Sequence, residues 1–304
     1  MITMDMSLYD NCRLCPRYCG VNRNRGAVGY CGQGATLFAA RAALHPWEEP
    51  IISGSRGSGT IFFGGCNLKC IYCQNHDIAL GHAGQEITLP RLAEICLELQ
   101  DKGAHNINLV TPSHFVPHIA KALESAKLQG LYIPVVYNTG SYELPDTLQM
   151  LDGLVDIYLP DLKYYSPHLG QAFSHAPDYF QTATAAISEM FRQVGTPVLD
   201  TVSGLLQKGL IVRHLLLPGQ TGDSKRILRY LHETYGDNIY ISIMNQYTPL
   251  PQVAEHPTLS RQVTSAEYAR VLDFATRIGI TRGFCQEGGT VSESFIPAFD
   301  GEGL

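Results

Sequence analysis

The 304-residue sequence is short of charge: Asp, Glu, Lys and Arg make up 16% of it, and the formal net charge is -6. No lysine or arginine run occurs, so nothing supplies the electrostatic footprint that nucleic acid or an anionic lipid surface requires. No stretch approaches the ~18 continuous apolar residues of a membrane span. The opening residues, MITMDMSLYDNC, lack the apolar core and cleavage site of a secretory signal, and a soluble, cytoplasmic protein is expected. Gly-x-Gly-x-x-Gly and other phosphate-binding loops are missing. So are solenoid-period repeats, low-complexity tracts and heptad runs.

What is present is apolar: 45% of the residues are hydrophobic, enough to bury a substantial core in a chain of this length. The nine cysteines are an odd number, and seven of them fall in two clusters. That pattern points to metal binding in a reducing compartment rather than to a disulfide framework.

From about residue 59 onward, β-rich runs alternate with amphipathic helical patterns. Strands are expected at Thr60–Gly64, Asn106–Val110, Ile133–Tyr137, Leu154–Leu159, Leu210–Leu217, Ile239–Met244 and Thr281–Cys285. Helices are expected at Leu89–Lys102, Phe115–Gln129, Leu144–Leu151, Tyr179–Val194, Asp223–Tyr235 and Ser265–Ile278. Thr88 is placed to cap the first of these and Thr264 or Ser265 the last, while Gly103 and Gly130 can end theirs. Strict β/α alternation implies parallel strands joined by right-handed crossovers. The expected fold class is therefore α/β, an open or partial barrel. Residues 1–50, rich in Gly and Cys and without periodicity, read as a small extension joined to residues 51–304 by PIISGSRGSG.

Cys66-x3-Cys70-x2-Cys73 directly follows the first expected strand, on a βα loop at the carboxyl end of the sheet, where barrel enzymes build active sites. Thiolates three and four residues apart converge only if the chain curls around a metal, and Gly64 and Gly65 permit a close backbone approach. One reading closes the site as a zinc knot with His76 as fourth ligand. The other leaves it open: an iron–sulfur cluster held by three thiolates has one iron with no protein ligand, and a cofactor can occupy that position.

With aromatic Tyr72 immediately before the last cysteine, this motif resembles the signature of the radical S-adenosylmethionine superfamily. The segments HPWEEPIISGSRGSGTIFFGGCNLKCIYCQN and NCRLCPRYCGVNRNRGAVGYCG together resemble its pyruvate formate-lyase-activating-enzyme-like branch of iron–sulfur proteins. The resemblance implies a partial (β/α)6 TIM-like barrel in which Cys66, Cys70 and Cys73 hold a 4Fe-4S cluster. It further implies that the open iron chelates the amino and carboxylate groups of S-adenosylmethionine. Reductive cleavage of that cofactor then yields a 5'-deoxyadenosyl radical that abstracts hydrogen from substrate, and His76 becomes a bystander.

Carried over position by position, the resemblance puts Tyr72 near the adenine. Thr111 and Ser113, in a Thr-Pro-Ser-His segment that replaces the family's Gly-Gly-Glu, fall near the amino group. Asn138 in YNTGSYE ends the third strand. Asp161 and Lys163 resemble the Asp-x-Lys of glycyl-radical activating enzymes, and two residues apart on a strand they share a face; the plainer alternative is a solvated ion pair. Arg213, Asn245 and Gln246 occupy places of ribose or carboxylate contacts, and for Arg213 a barrel-interior salt bridge reads equally well. The branch implies a protein glycine as substrate and an electron donor such as flavodoxin or ferredoxin. Another peptide or a small molecule remains an alternative substrate. A zinc-stabilised, non-catalytic binding protein is the alternative of another class.

Cys12-x2-Cys15-x3-Cys19-x11-Cys31 supplies four further thiols on a segment too short for its own core, so metal-driven folding is expected. Zinc and a second iron–sulfur cluster both satisfy the count. Cys96 reads as a core residue on a helix, and Cys285 as a buried small hydrophobe, with a hydrogen donor facing the barrel mouth as the alternative.

Overall fold

The structure is a computed structural model describing residues 6–286 and 297–304. Its strands are β1 (Leu37–His45), β2 (Ser58–Phe63), β3 (Gln85–Ile87), β4 (Ile107–Val110), β5 (Val135–Thr139), β6 (Ile157–Pro160), β7 (Val198–Leu199), β8 (Leu206–Leu215), β9 (Tyr240–Met244) and β10 (Gly283–Cys285). Its helices are α1 (Pro50–Ser53), α2 (His76–Ala79), α3 (Leu89–Asp101), α4 (Val116–Leu128), α5 (Pro145–Leu148), α6 (Pro167–Ser174), α7 (Tyr179–Val194), α8 (Thr221–Tyr235) and α9 (Ser265–Ile278). The sheet runs in the order β10-β9-β8-β6-β5-β4-β2-β1-β3. From β2 to β10 every neighbouring pair along that path is parallel. Among the described residues its two ends, β3 and β10, make it an open α/β arc with the partial-barrel architecture expected.

Strands β2, β4, β5 and β6 are buried at every position, as parallel strands covered on both faces must be. Alternate residues divide between the faces. Val135, Tyr137, Tyr158, Leu210 and Val212 join the large core under the helices, whereas Val136, Ile157, Leu159 and Ile211 pack with Ile52 of α1 on the inner face. The inner face continues through Asn138, Asp161 and Arg213 toward the carboxyl ends of the strands, which brings these polar residues to one side of the arc.

Helix ends follow the local chemistry. Thr88 accepts from the Arg91 backbone at the start of α3, and Thr264 with Glu267 forms a capping box on α9. The sheet also reaches into the segment that sequence reading sets apart: β1 pairs antiparallel with β2, so the part outside the sheet ends at residue 36 rather than 50. β1 reads LFAARAALH, where alanines carry weak strand propensity and an irregularity between Ala39 and Arg41 breaks the alternation.

Candidate functional site

The loop after β2 carries Cys66, Cys70 and Cys73, all half-buried, and all three line one cavity of about 630 Å3. The loop turns tightly. Gly65 has φ +83°, and a Cβ there would stand 2.5 Å from Gln33 Cγ and 2.6 Å from the Cys31 carbonyl oxygen. Lys69 lies at φ +49°, in the left-handed region that curls the chain between Cys66 and Cys70. The backbone N–H of Leu68 donates to Cys66 Sγ at 3.4 Å, and Ser174 Oγ donates to Cys70 Sγ at 3.0 Å.

Burial pushes the Cys73 thiol up to about 12, with Cys70 and Cys66 adding repulsion, and burial raises Cys66 as well. Three thiolates crowded together are therefore unfavourable until a cation shares them. Among the described residues, no three His, Cys, Asp or Glu side chains stand in metal-ligating geometry. Donor type, common cavity and mutual repulsion all fit an iron–sulfur centre. His76 Nε2 lies 2.9 Å from Asp77 Oδ1, while its buried Nδ1 has no hydrogen-bond partner.

The same cavity is lined by Tyr72 of the cysteine loop and by Thr111, Ser113, Asn138, Asp161, Lys163, Arg213 and Gln246, which lie near the carboxyl ends of strands. Asn245 stands beside this lining, its backbone N–H donating to Gln286 Oε1 at 2.8 Å. Thr111, where the family's glycine-rich segment falls, has φ +56°, a conformation glycine favours. Ser113 Oγ donates to Glu143 Oε1 at 2.9 Å. Glu143 also accepts from Tyr137 at 2.8 Å and from Thr139, and burial raises its carboxyl despite these bonds.

Asp161 and Lys163 form a pair whose side chains are each 16% exposed, not a solvated surface contact. Lys163 Nζ donates to Asp161 Oδ2 at 2.7 Å, and Arg213 Nε donates to Asp161 Oδ1 at 2.9 Å. Arg213 continues to Asn138 Oδ1 at 2.6 Å and to Glu48 Oε2 at 3.3 Å, while Glu48 also accepts from Asn108 and Asn138. Burial alone would raise Asp161, but Arg213 and Lys163 outweigh it and hold the carboxyl below its usual range. Lys163 is disfavoured by burial and, in turn, held well above its usual range by Asp161. The salt-bridge reading of Arg213 is the one the structure shows, and the residue also lines the cavity.

Sequence reasoning passed over Glu48, Glu143 and Ser174. For Glu48 a signal existed, two adjacent carboxylates in the otherwise apolar HPWEEP stretch. Cys96 is fully buried as expected, but Cys285 is exposed, on β10, which among the described residues is the outermost strand with a partner on one side only.

The N-terminal cysteines do not line the cavity. Cys12, Cys15 and Cys31 are buried and Cys19 is exposed. A Cβ on Gly29 would stand 3.1 Å from Cys19 Sγ and 3.6 Å from Cys31 Sγ. Burial pushes Cys15 up to about 12 and raises Cys31, and nearby thiols add to both. Arg23 is 1% exposed and donates to the Gly34 and His114 carbonyls, with Nη1 3.9 Å from Cys12 Sγ. This segment backs directly onto the loop after β2. Cys66 N–H donates to the Cys31 carbonyl at 3.3 Å, and Arg17 Nε donates to the Asn67 carbonyl at 2.7 Å.

A three-cysteine loop at the carboxyl rim of an open parallel arc, facing a cavity with a fixed charge network, defines a class of enzyme. The chain belongs to the Radical SAM superfamily, whose family model matches residues 60–231, more than half of its length. Membership implies a 4Fe-4S cluster and S-adenosylmethionine as cofactors. A relative is the uncharacterised protein MJ0674 of Methanocaldococcus jannaschii, 27% identical over 282 residues that span 90% of this chain and 77% of that one. Among solved structures, a domain of pyruvate-formate lyase-activating enzyme from Bacteroides vulgatus is 13% identical with a TM-score of 0.41, covering 57% of this chain and 92% of that domain. Streptococcus suis SuiB bound to S-adenosylmethionine is 12% identical with a TM-score of 0.49, covering 73% of this chain and 48% of SuiB.

Proposed function

We propose that this chain reductively cleaves S-adenosylmethionine at a 4Fe-4S cluster held by Cys66, Cys70 and Cys73, and abstracts hydrogen from a protein glycine. The carrying observation is that the cysteine loop and the Asp161–Lys163–Arg213 network line the same cavity. A cluster held by Cys66, Cys70 and Cys73 would supply the one-electron reduction that cleaves the sulfonium and makes hydrogen abstraction possible.

This chain's residues hold and orient. Tyr72 and Gln246 wall the cavity beside the cysteines. Ser113, with its hydrogen committed to Glu143, presents its oxygen lone pairs, and the left-handed turn at Thr111 exposes backbone for an ammonium group. Lys163 and Arg213 remain charged and are oriented by Asp161, a preorganised pair suited to carboxylate or ribose oxygens. Asn138 is held by Glu48 and Arg213, and Asn245 braces the segment that presents Gln246.

The four N-terminal cysteines we read as a second metal site, zinc or an auxiliary iron–sulfur cluster. Buried Arg23 supports this, since a cation next to Cys12 is balanced by an anionic thiolate centre. Flavodoxin or ferredoxin is the proposed electron donor. Nine free cysteines fit a cytoplasmic setting. Among the described residues no helix is long and apolar enough to cross a membrane.

Anaerobic reconstitution followed by iron, sulfide and zinc analysis tests the metal assignments. Wild-type protein should release 5'-deoxyadenosine from S-adenosylmethionine under a strong reductant, and Cys70→Ala should release none. Incubation with a glycyl-radical enzyme should then give a glycyl signal by electron paramagnetic resonance. Cofactor cleavage without that signal moves the substrate to another peptide or a small molecule, and a colourless protein holding zinc alone refutes the enzyme reading.

A further inference from the structure

Behind the cysteine loop lies a row of three buried hydroxyls that ends on a cysteine sulfur. Tyr72 Oη and Tyr164 Oη are 2.7 Å apart, Tyr164 Oη and Ser174 Oγ are 2.8 Å apart, and Ser174 Oγ meets Cys70 Sγ at 3.0 Å. Hydrogen counting sets the direction of the row. Ser174 has one hydroxyl hydrogen; given to Cys70, it leaves Ser174 to accept from Tyr164, and Tyr164 to accept from Tyr72. Successive donors in a low-dielectric setting polarise one another, which strengthens the last bond onto sulfur.

Ser174 is itself held in place. It is fully buried at the last position of α6, and its carbonyl accepts from Arg17 Nη2 at 2.8 Å. Arg17 also binds the carbonyls of His175 and of Asn67, the residue next to Cys66. One guanidinium therefore ties the end of α6 to the cysteine loop, and the serine cannot drift from Cys70 without breaking that tie.

We propose that Ser174 is a positioning residue that tunes the electron affinity of the cluster through its hydrogen bond to Cys70 Sγ. This rests on Cys70 being a cluster ligand. Reduction adds one electron from the donor and one negative charge, part of it on the thiolate sulfurs, with no bond made or broken and no proton transferred. A donor aimed at one sulfur stabilises the reduced state more than the oxidised one, so it raises the reduction potential.

The test is a redox titration of the anaerobically reconstituted full chain, followed by electron paramagnetic resonance. Ser174→Ala should keep wild-type iron content but make reduction less favourable by up to about tenfold, which is 59 mV for a one-electron couple. Ser174→Thr, which keeps the hydroxyl, should return the midpoint toward wild type. A Ser174→Ala chain with full iron content and an unchanged midpoint overturns the proposal. Should that variant not fold, Tyr164→Phe is read alone, because it removes the donor behind Ser174: a lowered midpoint supports the proposal and an unchanged one overturns it. Wild-type protein that binds no iron at these cysteines refutes the proposed function instead.

Discussion

Asp161 lies at the hub of the cavity's charges, between Lys163 and Arg213. Asp161→Ala leaves two largely buried cations facing each other and should cost roughly 3–5 kcal/mol in urea unfolding, in addition to abolishing cofactor cleavage. Its place was legible in the sequence because strand periodicity puts Asp161 and Lys163 on one face at a strand's end. For Glu48 the paired carboxylates of HPWEEP were legible but its network was not, because its partners Asn108, Asn138 and Arg213 lie on three distant strands. Two histidines make a separate prediction. Burial, reinforced by Arg23, lowers His114 to about 3 and His118 to about 4. Each folded-state value lies below the ordinary 6.5, so the charged form favours the unfolded chain. Their contribution is complete above about pH 6.5 and drains as pH falls, His118 through about 4 and His114 through about 3. In a plot of Tm against pH, His118→Asn should show a shallower acid limb than wild type.

Among the elements, the long amphipathic helices were the most legible. α7 and α9 begin and end where their apolar period does, and α9 carries its start signal in Thr264 and Glu267. Thr264→Ala removes the cap and should cost about 1 kcal/mol, read as a lower Tm with unchanged iron content. α6 escaped notice because it spans eight residues, starts at a proline and contains Gly170, where a Cβ would sit 2.3 Å from the Ala176 carbonyl oxygen. The cysteine loop was legible as a motif but its packing was not. Gly65→Ala should push the loop off Cys31 and Gln33, seen as lost iron after reconstitution while the helical circular dichroism signal stays intact.

On the scale of the whole molecule, the arc was legible because β/α alternation admits few topologies, and the N-terminal cysteines stood out in the sequence as a cluster. Their docking was not, since no local pattern announces that Arg17 seats on α6 or that Arg23 packs between Tyr9 and Phe115. If those thiols hold a metal, removing it leaves Arg23 a buried cation without its counter-charge. A Cys12→Ser, Cys15→Ser double variant should therefore melt at lower temperature and retain less iron at Cys66–Cys73, both measurable on one preparation. The same docking has a consequence for biosynthesis. Arg17 and the His175 carbonyl it binds are 158 residues apart. At about 5–20 residues per second, the ribosome delivers the second partner about 8–30 s after the first. For that interval the N-terminal segment can meet the cysteine loop through Asn67 and Cys66 but not the end of α6, so its seat is completed only after residue 175 has been made.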